Sequence, residues 1–172
     1  MNKKVILILA IIIVVIIAGV IIFSVANNGE ENSPENTQTE LAYTVEYNGV
    51  NITPGTEFDE TAISEEYSFY EIQSCAFEGN DKVYTYSGVE IIVAEVDGVD
   101  TVYSVYFLDT ETETAEGVKV ADSKDAMINA YGEDYESTVE NSYAYTRGDV
   151  ILSFIVENDT ITSIEYTLNI NN

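Results

Sequence analysis

Two stretches of the chain alternate β-branched or aromatic residues with short turn sequences, and this pattern constrains the fold more than any other feature. The first stretch covers residues 82–107 and is interrupted at Ser87-Gly88 and Asp97-Gly98. The second covers residues 142–168 and is interrupted by two similar polar turns. Val, Ile, Thr, Tyr and Phe favour strands, and glycine beside a polar residue favours a hairpin turn. Each stretch therefore predicts a three-stranded antiparallel meander.

The two meanders resemble each other in sequence. Residues 84–107 align with residues 143–166 at an offset of 59. A second block, residues 48–52, aligns with residues 116–120 at an offset of 68. Self-similarity of this kind indicates an internal repeat. The expected half-repeats cover about residues 42–109 and 110–172.

Each half is also expected to contain a short helix before its meander. In the second half, Asp122 can cap a helix that ends at Gly132, with Asp125 in the capping-box position. In the first half, Pro54 is compatible with a first helical turn, so a short helix is expected over about residues 56–65. The predicted fold class is α+β: an N-terminal transmembrane helix, then a tandem repeat of a short helix plus a three-stranded antiparallel meander.

The segment Val5–Ala26 contains no charged residue and is rich in Ile and Val. As a helix it would span roughly 33 Å, enough for a bilayer hydrocarbon core of about 30 Å. Lys3 and Lys4 precede it, so the positive-inside bias predicts a signal anchor, a cytoplasmic N-terminus and an extracellular C-terminal domain. The open alternative is a secreted protein, cleaved after Ser24-Val25-Ala26.

The expected domain organisation follows from these segments. The order is a cytoplasmic tip at residues 1–4, a transmembrane signal-anchor helix at 5–26, a flexible acidic tether at 27–41 and an extracellular α+β domain at 42–172. The tether is polar, so it cannot bury enough apolar surface to offset its ordering entropy. The last segment has the length of one ordinary domain.

The charge of the chain and its missing residue types exclude several functions. From residue 27 onward there are 31 carboxylates and four basic side chains, a balance that repels nucleic-acid phosphates. The chain has no histidine, which excludes a Ser-His-Asp triad and imidazole metal ligands. Its one cysteine, Cys75, cannot form an intrachain disulfide and is expected to be a small buried side chain beside Ala76 and Phe77.

Acidic clusters are the remaining candidates for chemistry. They lie at residues 97–100, 109–113 and 133–136, and none matches the calcium loop D-x-[DN]-x-[DN]-G. A solvated acidic surface is the simpler interpretation. The open alternative is a calcium-dependent or carboxylate-based hydrolytic domain. We expect no cofactor, and no residue is assigned as catalytic or metal-binding.

Two short runs, Ser74–Tyr86 and Thr114–Val120, carry a resemblance to known proteins. They resemble a group of uncharacterised membrane-anchored or lipoprotein-like proteins of Gram-positive anaerobic bacteria. Many of those proteins look lipid-anchored through a cysteine just after the signal, a residue that this chain lacks. The tandem helix-plus-meander layout is also similar to that of secreted β-lactamase-inhibitor-type proteins, which implies a protein-binding module.

The predicted function is therefore a membrane-anchored, non-catalytic protein-binding module of the bacterial cell envelope. The expected partners are the membrane, through residues 5–26, and an extracellular or envelope protein with a neutral or basic surface, but no nucleic acid. Tyrosine provides contact area at low entropic cost, so strand tyrosines are the expected interaction face. The candidate residues are Tyr84, Tyr86, Tyr103, Tyr143 and Tyr145.

Overall fold

The computed structural model describes residues 42–137 and 139–170 of the chain. In this part of the chain there are nine strands and one helix. In chain order these are β1 Val45–Tyr47, β2 Val50–Ile52, β3 Ser68–Gln73, β4 Asn80–Thr85, β5 Val89–Val96, β6 Val99–Phe107, α1 Lys124–Tyr131, β7 Ser142–Arg147, β8 Val150–Glu157 and β9 Thr160–Leu168.

Seven of the strands form one antiparallel sheet in the order β3-β4-β5-β6-β9-β8-β7. Strands β4 to β6 come from the first predicted meander and β7 to β9 from the second. The two groups join where residues 104–106 of β6 pair with residues 165–167 of β9. Strands β1 and β2 form a separate hairpin with Asn48-Gly49 at its turn, at φ 50° and 77°. Positive φ at both turn residues is the geometry that asparagine and glycine tolerate best.

The core lies on one face of the large sheet. Side chains alternate between the two faces along each strand, so residues paired directly across the sheet share a face. One such row begins at exposed Phe69 on the edge strand and ends at buried Tyr145 at the other side. The five residues between them are all buried: Tyr84, Ile91, Val105, Tyr166 and Leu152. The β1–β2 hairpin and α1 cover this face through buried Val45, Tyr47, Ile52 and Met127.

Helix α1 begins after Ser123 rather than after Asp122. The Oγ of Ser123 accepts a hydrogen bond from the Ala126 N–H at 3.2 Å, which satisfies one of the free amides of the first turn. Asp122 instead accepts a hydrogen bond from the Lys119 N–H at 2.8 Å. The helix ends at Gly132, where φ is 86°. Glycine adopts this conformation without a steric penalty, as the sequence pattern predicted for the helix end.

The predicted tandem of helix-plus-meander units is wrong, because the first half has no helix and the described residues are mainly β-structure. Residues 53–67 form turns instead. The N–H groups of Gly55 and Phe58 donate to the carbonyls of Val102 and Asp100 on β6, both at 2.8 Å. These two bonds anchor the segment to β6. In a helix the Thr61 N–H would donate to the Glu57 carbonyl, but it donates to the Asp59 Oδ1 at 2.9 Å, so a local side-chain bond replaces a helical one.

The second half makes equivalent bonds to β9 and still forms a helix. The Ala121 N–H donates to the Ile161 carbonyl at 2.8 Å, and the Lys124 N–H donates to the Asp159 carbonyl at 3.1 Å. Residues 124–131 then contain no glycine or proline and follow a capping serine, so the helix can continue. The two halves therefore share a pattern of backbone hydrogen bonds without sharing a helix.

The predicted membrane anchor also needs correction. Among residues 42–137 and 139–170, no helix is long and apolar enough to cross a membrane. The predicted span at 5–26, like the tip at 1–4 and the tether at 27–41, lies outside the described residues. The assignments that rested on it, a single-pass membrane protein with a cytoplasmic N-terminus and an extracellular domain, are not supported by the structure. The description as a lipoprotein-like tandem repeat is not supported either.

Candidate interaction surface

The structure distributes the five predicted tyrosines over different parts of the sheet. Tyr84 and Tyr86 lie on β4 or directly after it, and Tyr143 and Tyr145 lie on β7 at the far edge. Tyr84, Tyr86 and Tyr145 are buried, each no more than 4% exposed, while Tyr103 and Tyr143 are half-buried. The three buried rings are part of the core and are not available to a partner. The five residues therefore do not form one continuous face.

Two of the three buried tyrosine hydroxyls have hydrogen-bond partners within the described residues, and that of Tyr86 has none there. The Tyr84 hydroxyl donates to Glu60 at 3.2 Å, and the Tyr145 hydroxyl donates to the Gly132 carbonyl at 2.8 Å. Burial raises the pKa of Tyr84, Tyr86 and Tyr145 to about 12. These hydroxyls are therefore protonated at neutral pH, and those of Tyr84 and Tyr145 act as hydrogen-bond donors inside the fold.

A cluster of exposed apolar side chains is instead found on β3, a strand that the sequence pattern did not predict. β3 is the end strand of the large sheet, and all six of its residues are exposed. Its large apolar side chains, with the residue that precedes the strand, form what we call the edge patch. The edge patch consists of Tyr67, Phe69, Tyr70 and Ile72, with 39%, 49%, 47% and 43% of their surface exposed.

The backbone of β3 has hydrogen-bonding groups directed away from the sheet. The ladder with β4 continues past the strand to the Ser74 N–H, which donates to the Gly79 carbonyl at 3.0 Å. Hydrogen-bonded pairs alternate with non-bonded pairs in an antiparallel ladder. Counting back from Ser74 makes Ile72, Tyr70 and Ser68 the residues bonded to β4. The N–H and C=O groups of Phe69, Glu71 and Gln73 therefore point to the open edge.

The neighbouring ladder supports the same assignment. The Tyr86 N–H donates to the Val89 carbonyl at 2.9 Å, so the even-numbered residues of β4 bond to β5. The odd-numbered residues of β4 are then the ones that bond to β3, in agreement with the count from Ser74. Two independent hydrogen bonds thus place the same three β3 residues toward the open edge.

The exposed rings of the edge patch rest on buried ones. Phe69 contacts Tyr84 with ring centroids 5.1 Å apart, and Tyr67 contacts Tyr84 at 5.3 Å and Tyr86 at 5.4 Å. Tilted and edge-to-face contacts of this kind are favourable for aromatic pairs. On the opposite face, Tyr70 lies beside Val83 of β4 and then Ile92 of β5 in one register row. The edge patch thus has apolar side chains on both faces of the sheet.

The surroundings of the edge patch are acidic. Glu65 and Glu66 precede β3, Glu71 lies within it and Glu78 follows it. The nearby cation, Lys82, lies opposite Glu71 on β4 and makes an ion pair with Asp100 at 2.6 Å. Hydrogen bonding to Asp100 raises the pKa of Lys82, so its charge is already engaged. The open edge therefore combines apolar side chains with a negative potential.

The other edge of the sheet is different. On β7, the Ala144 N–H donates to the Glu136 carbonyl and the Glu136 N–H donates to the Ala144 carbonyl, both at 2.8 Å. This bridge covers the middle of β7 with the protein's own backbone. Natural sheets commonly protect their edges in this way to prevent unwanted pairing. Strand β3 has no equivalent cover among residues 42–137 and 139–170.

Cys75 lies in the turn that follows β3 and is exposed, so the expectation that it is buried is wrong. The Oγ of Ser74 accepts hydrogen bonds from the N–H groups of Ala76 and Phe77 at 3.2 and 3.0 Å. These bonds hold the turn so that Phe77 packs against Tyr103, with ring centroids 5.4 Å apart. Phe77 is thus the residue of this turn that packs inward, and the thiol remains outside.

The carboxylates of the described residues were candidates for a metal site. No group of three or more acidic or cysteine side chains in this part of the chain could hold a metal ion. Burial raises the pKa of the Glu165 carboxyl, on the sheet face opposite the core.

Comparison with protein-family models, curated proteins and solved structures finds no match for this chain. The resemblance of Ser74–Tyr86 and Thr114–Val120 to a bacterial lipoprotein-like group therefore stays a prediction. Any inference about function must come from the geometry of the chain itself.

Proposed function

We propose that this protein is a non-catalytic binding domain that recognises another protein at the edge patch. The observation that carries the proposal is that all six residues of β3 are exposed, in an end strand whose large side chains are mainly apolar. An uncovered edge with apolar side chains is a template for pairing and aggregation unless a partner covers it. A partner would remove this surface from water.

The contrast between the two edges supports the proposal. Within the described residues, the backbone of Glu136 covers β7 and no segment covers β3. Burial of apolar surface contributes about 25 cal/mol per Å², so four large side chains that are each roughly half exposed offer a useful binding energy. The acidic surroundings favour a partner with a neutral or basic surface.

A selection with random displayed peptides tests this proposal, because it samples many partner sequences at once. The full chain is immobilised, and the enriched peptides are measured against Tyr70→Thr/Ile72→Thr. Threonine keeps the strand propensity while removing most of the apolar area. We expect the double substitution to weaken binding at least about tenfold, equivalent to about 1.4 kcal/mol.

Val139→Thr is the matched control, because Val139 is 65% exposed but lies in the segment that precedes β7. It removes exposed apolar area at the far side of the sheet and should leave binding unchanged. Failure to enrich any peptide would contradict the proposal. Enriched peptides that bind the wild type and the double variant equally well would contradict it too.

A further inference from the structure

We infer that the partner binds as an added β-strand, an extended segment that pairs with β3 and alternates basic with apolar residues. This inference rests on the proposed function and specifies how the edge patch is used. Three features carry it: the free backbone groups of β3, the different side chains on its two faces, and the charge around it.

The backbone groups provide the pairing. Phe69, Glu71 and Gln73 direct their N–H and C=O groups to the open edge, while the alternate residues bond to β4. An extended segment placed beside β3 can therefore form two hydrogen bonds with each of these three residues. Main-chain bonds give such added strands their affinity, and side chains give them specificity. The sheet would become eight-stranded without any change in β4.

The two faces of β3 favour different side chains. Phe69, Glu71 and Gln73 lie on the core side of the sheet, and Tyr70 and Ile72 lie on the other side. A residue beside Glu71 meets a carboxylate, and the residues before and after it meet apolar side chains. A segment with a basic residue beside Glu71 and apolar residues beside Tyr70 and Ile72 matches both faces at once. A basic residue beside Phe69, on the same face as Glu71, can place its charge over the ring.

The acidic charge of the protein around β3 indicates that the partner segment carries basic residues. From residue 42 onward there are 27 acidic and four basic side chains, and Lys82 is paired with Asp100. Glu71 is exposed and receives one hydrogen bond, from the Asn80 Nδ2 at 3.2 Å. A second copy of this chain is a poor occupant, since two strongly negative domains would be brought edge to edge. A cationic segment is attracted instead.

A peptide of alternating lysine and valine is the probe for this inference, with an alternating glutamate and valine peptide as its charge control. We expect the lysine peptide to bind the full chain and the glutamate peptide not to bind. Since the pairing charges are exposed, added salt should weaken the binding. Equal binding of the two peptides would overturn the basic component of the inference.

N-methylation of the peptide tests the strand pairing itself. If the peptide lies antiparallel to β3, the lysine opposite Glu71 belongs to a hydrogen-bonded pair, so the lysine amides face β3. Methylation of the lysine amides should then abolish binding, and methylation of the valine amides should leave it intact. The reverse result would show a parallel added strand. Equal binding of both methylated peptides would overturn strand addition.

Two substitutions of Glu71 test the backbone pairing and the charge attraction separately. Glu71→Pro removes one outward N–H, a change that edge strands tolerate, and should weaken binding at least about tenfold. Glu71→Gln keeps the N–H but removes the charge, so its binding should lose only the component that added salt weakens. If Glu71→Pro does not fold, the methylated peptides still decide the question.

The outcomes distinguish this inference from the proposed function. Loss of binding in Tyr70→Thr/Ile72→Thr, with no effect of methylation or of Glu71→Pro, would leave a protein-binding edge patch that does not add a strand. Sedimentation of the full chain tests the other occupant. A dimer that dissociates in Glu71→Pro would show that a second copy covers β3 and would overturn the basic partner.

Discussion

Tyr47 and Gly88 are in direct contact, although one lies in the small hairpin and the other in the turn between β4 and β5. The Gly88 N–H donates to the Tyr47 hydroxyl at 3.0 Å. The same hydroxyl donates to Glu65 at 2.8 Å. This contact joins the β1–β2 hairpin, the loop before β3 and the large sheet, and it leaves no space for a side chain at position 88.

Gly88→Ala should destabilise the domain by about 1–3 kcal/mol. A Cβ at this position would lie 2.6 Å from the Thr112 Oγ1 and 2.8 Å from the Tyr47 ring carbon Cε2, so the turn or the hairpin must move. Urea unfolding monitored by tyrosine fluorescence measures the loss. Gly98→Ala is the comparison. Gly98 has no nearby atom, so a loss of stability there reports the strain of a Cβ at a φ of 80° and not a steric clash. An unchanged stability of Gly88→Ala would show that the turn adjusts at no cost.

Ser123→Ala should destabilise the domain by about 1 kcal/mol, because it removes the side-chain oxygen that caps α1. Ser123→Asp should retain most of the stability, since aspartate caps a helix N-terminus as well as serine does. The free energy of unfolding in urea measures both. If Ser123→Ala and Ser123→Asp were equally destabilised, the contribution of Ser123 would lie in something other than its capping oxygen.

Glu165→Gln should raise the melting temperature at neutral pH. Burial raises the pKa of this carboxyl above its ordinary value of 4.5, so the folded protein favours the protonated form. The contribution of the protonated carboxyl to the stability of the folded protein is fully present below pH 4.5 and is lost as the pH rises through the raised pKa. The melting temperature of Glu165→Gln should therefore exceed that of the wild type at neutral pH, and the difference should disappear in acid.

Glu157→Gln provides the control for that measurement, because Glu157 is exposed at the end of β8 and its substitution removes the same charge. Thermal unfolding at several pH values compares the two variants with the wild type. Identical pH profiles for Glu157→Gln and Glu165→Gln would mean that the effect comes from net charge and not from burial.

Cys75 should react with a thiol reagent in the folded protein at nearly the rate found in urea. It is exposed in the turn after β3, and it is the only cysteine in the chain, so the signal is unambiguous. Absorbance of the released thiolate measures the rate. A native rate that is orders of magnitude slower than the unfolded rate would show that the turn closes over the thiol. A label at this site can also report binding at β3.

The strands of the two meanders could be predicted because the sequence signals for each strand and turn lie in neighbouring residues. Asp97 and Gly98 occupy positive φ, at 53° and 80°, as their position between two alternating apolar runs indicated. The helix that ends at Gly132 was predicted for the same reason, from a capping residue and a stop signal within a few residues of each other. Signals of this kind do not depend on the rest of the fold.

The sequence did not show that residues 56–65 form turns rather than a helix, because part of what positions this segment lies far away in the chain. Gly55 and Phe58 donate to β6, more than 40 residues away in the chain. The interaction face was misplaced for a similar reason. Alternation shows that Tyr84 and Tyr86 share a face of a strand, but not that the β1–β2 hairpin and α1 cover that face.

The six meander strands, their turns, helix α1 and the acidic character of the domain could be read from the sequence, since each depends on neighbouring residues or on composition. Which face is buried and which edge is open depends on how distant segments pack. Phe69 and Tyr145 lie in the same register row, yet one is exposed and the other is buried. The difference arises because burial depends on what packs against a side chain, and the part of the chain that the structure describes covers β7 but not β3.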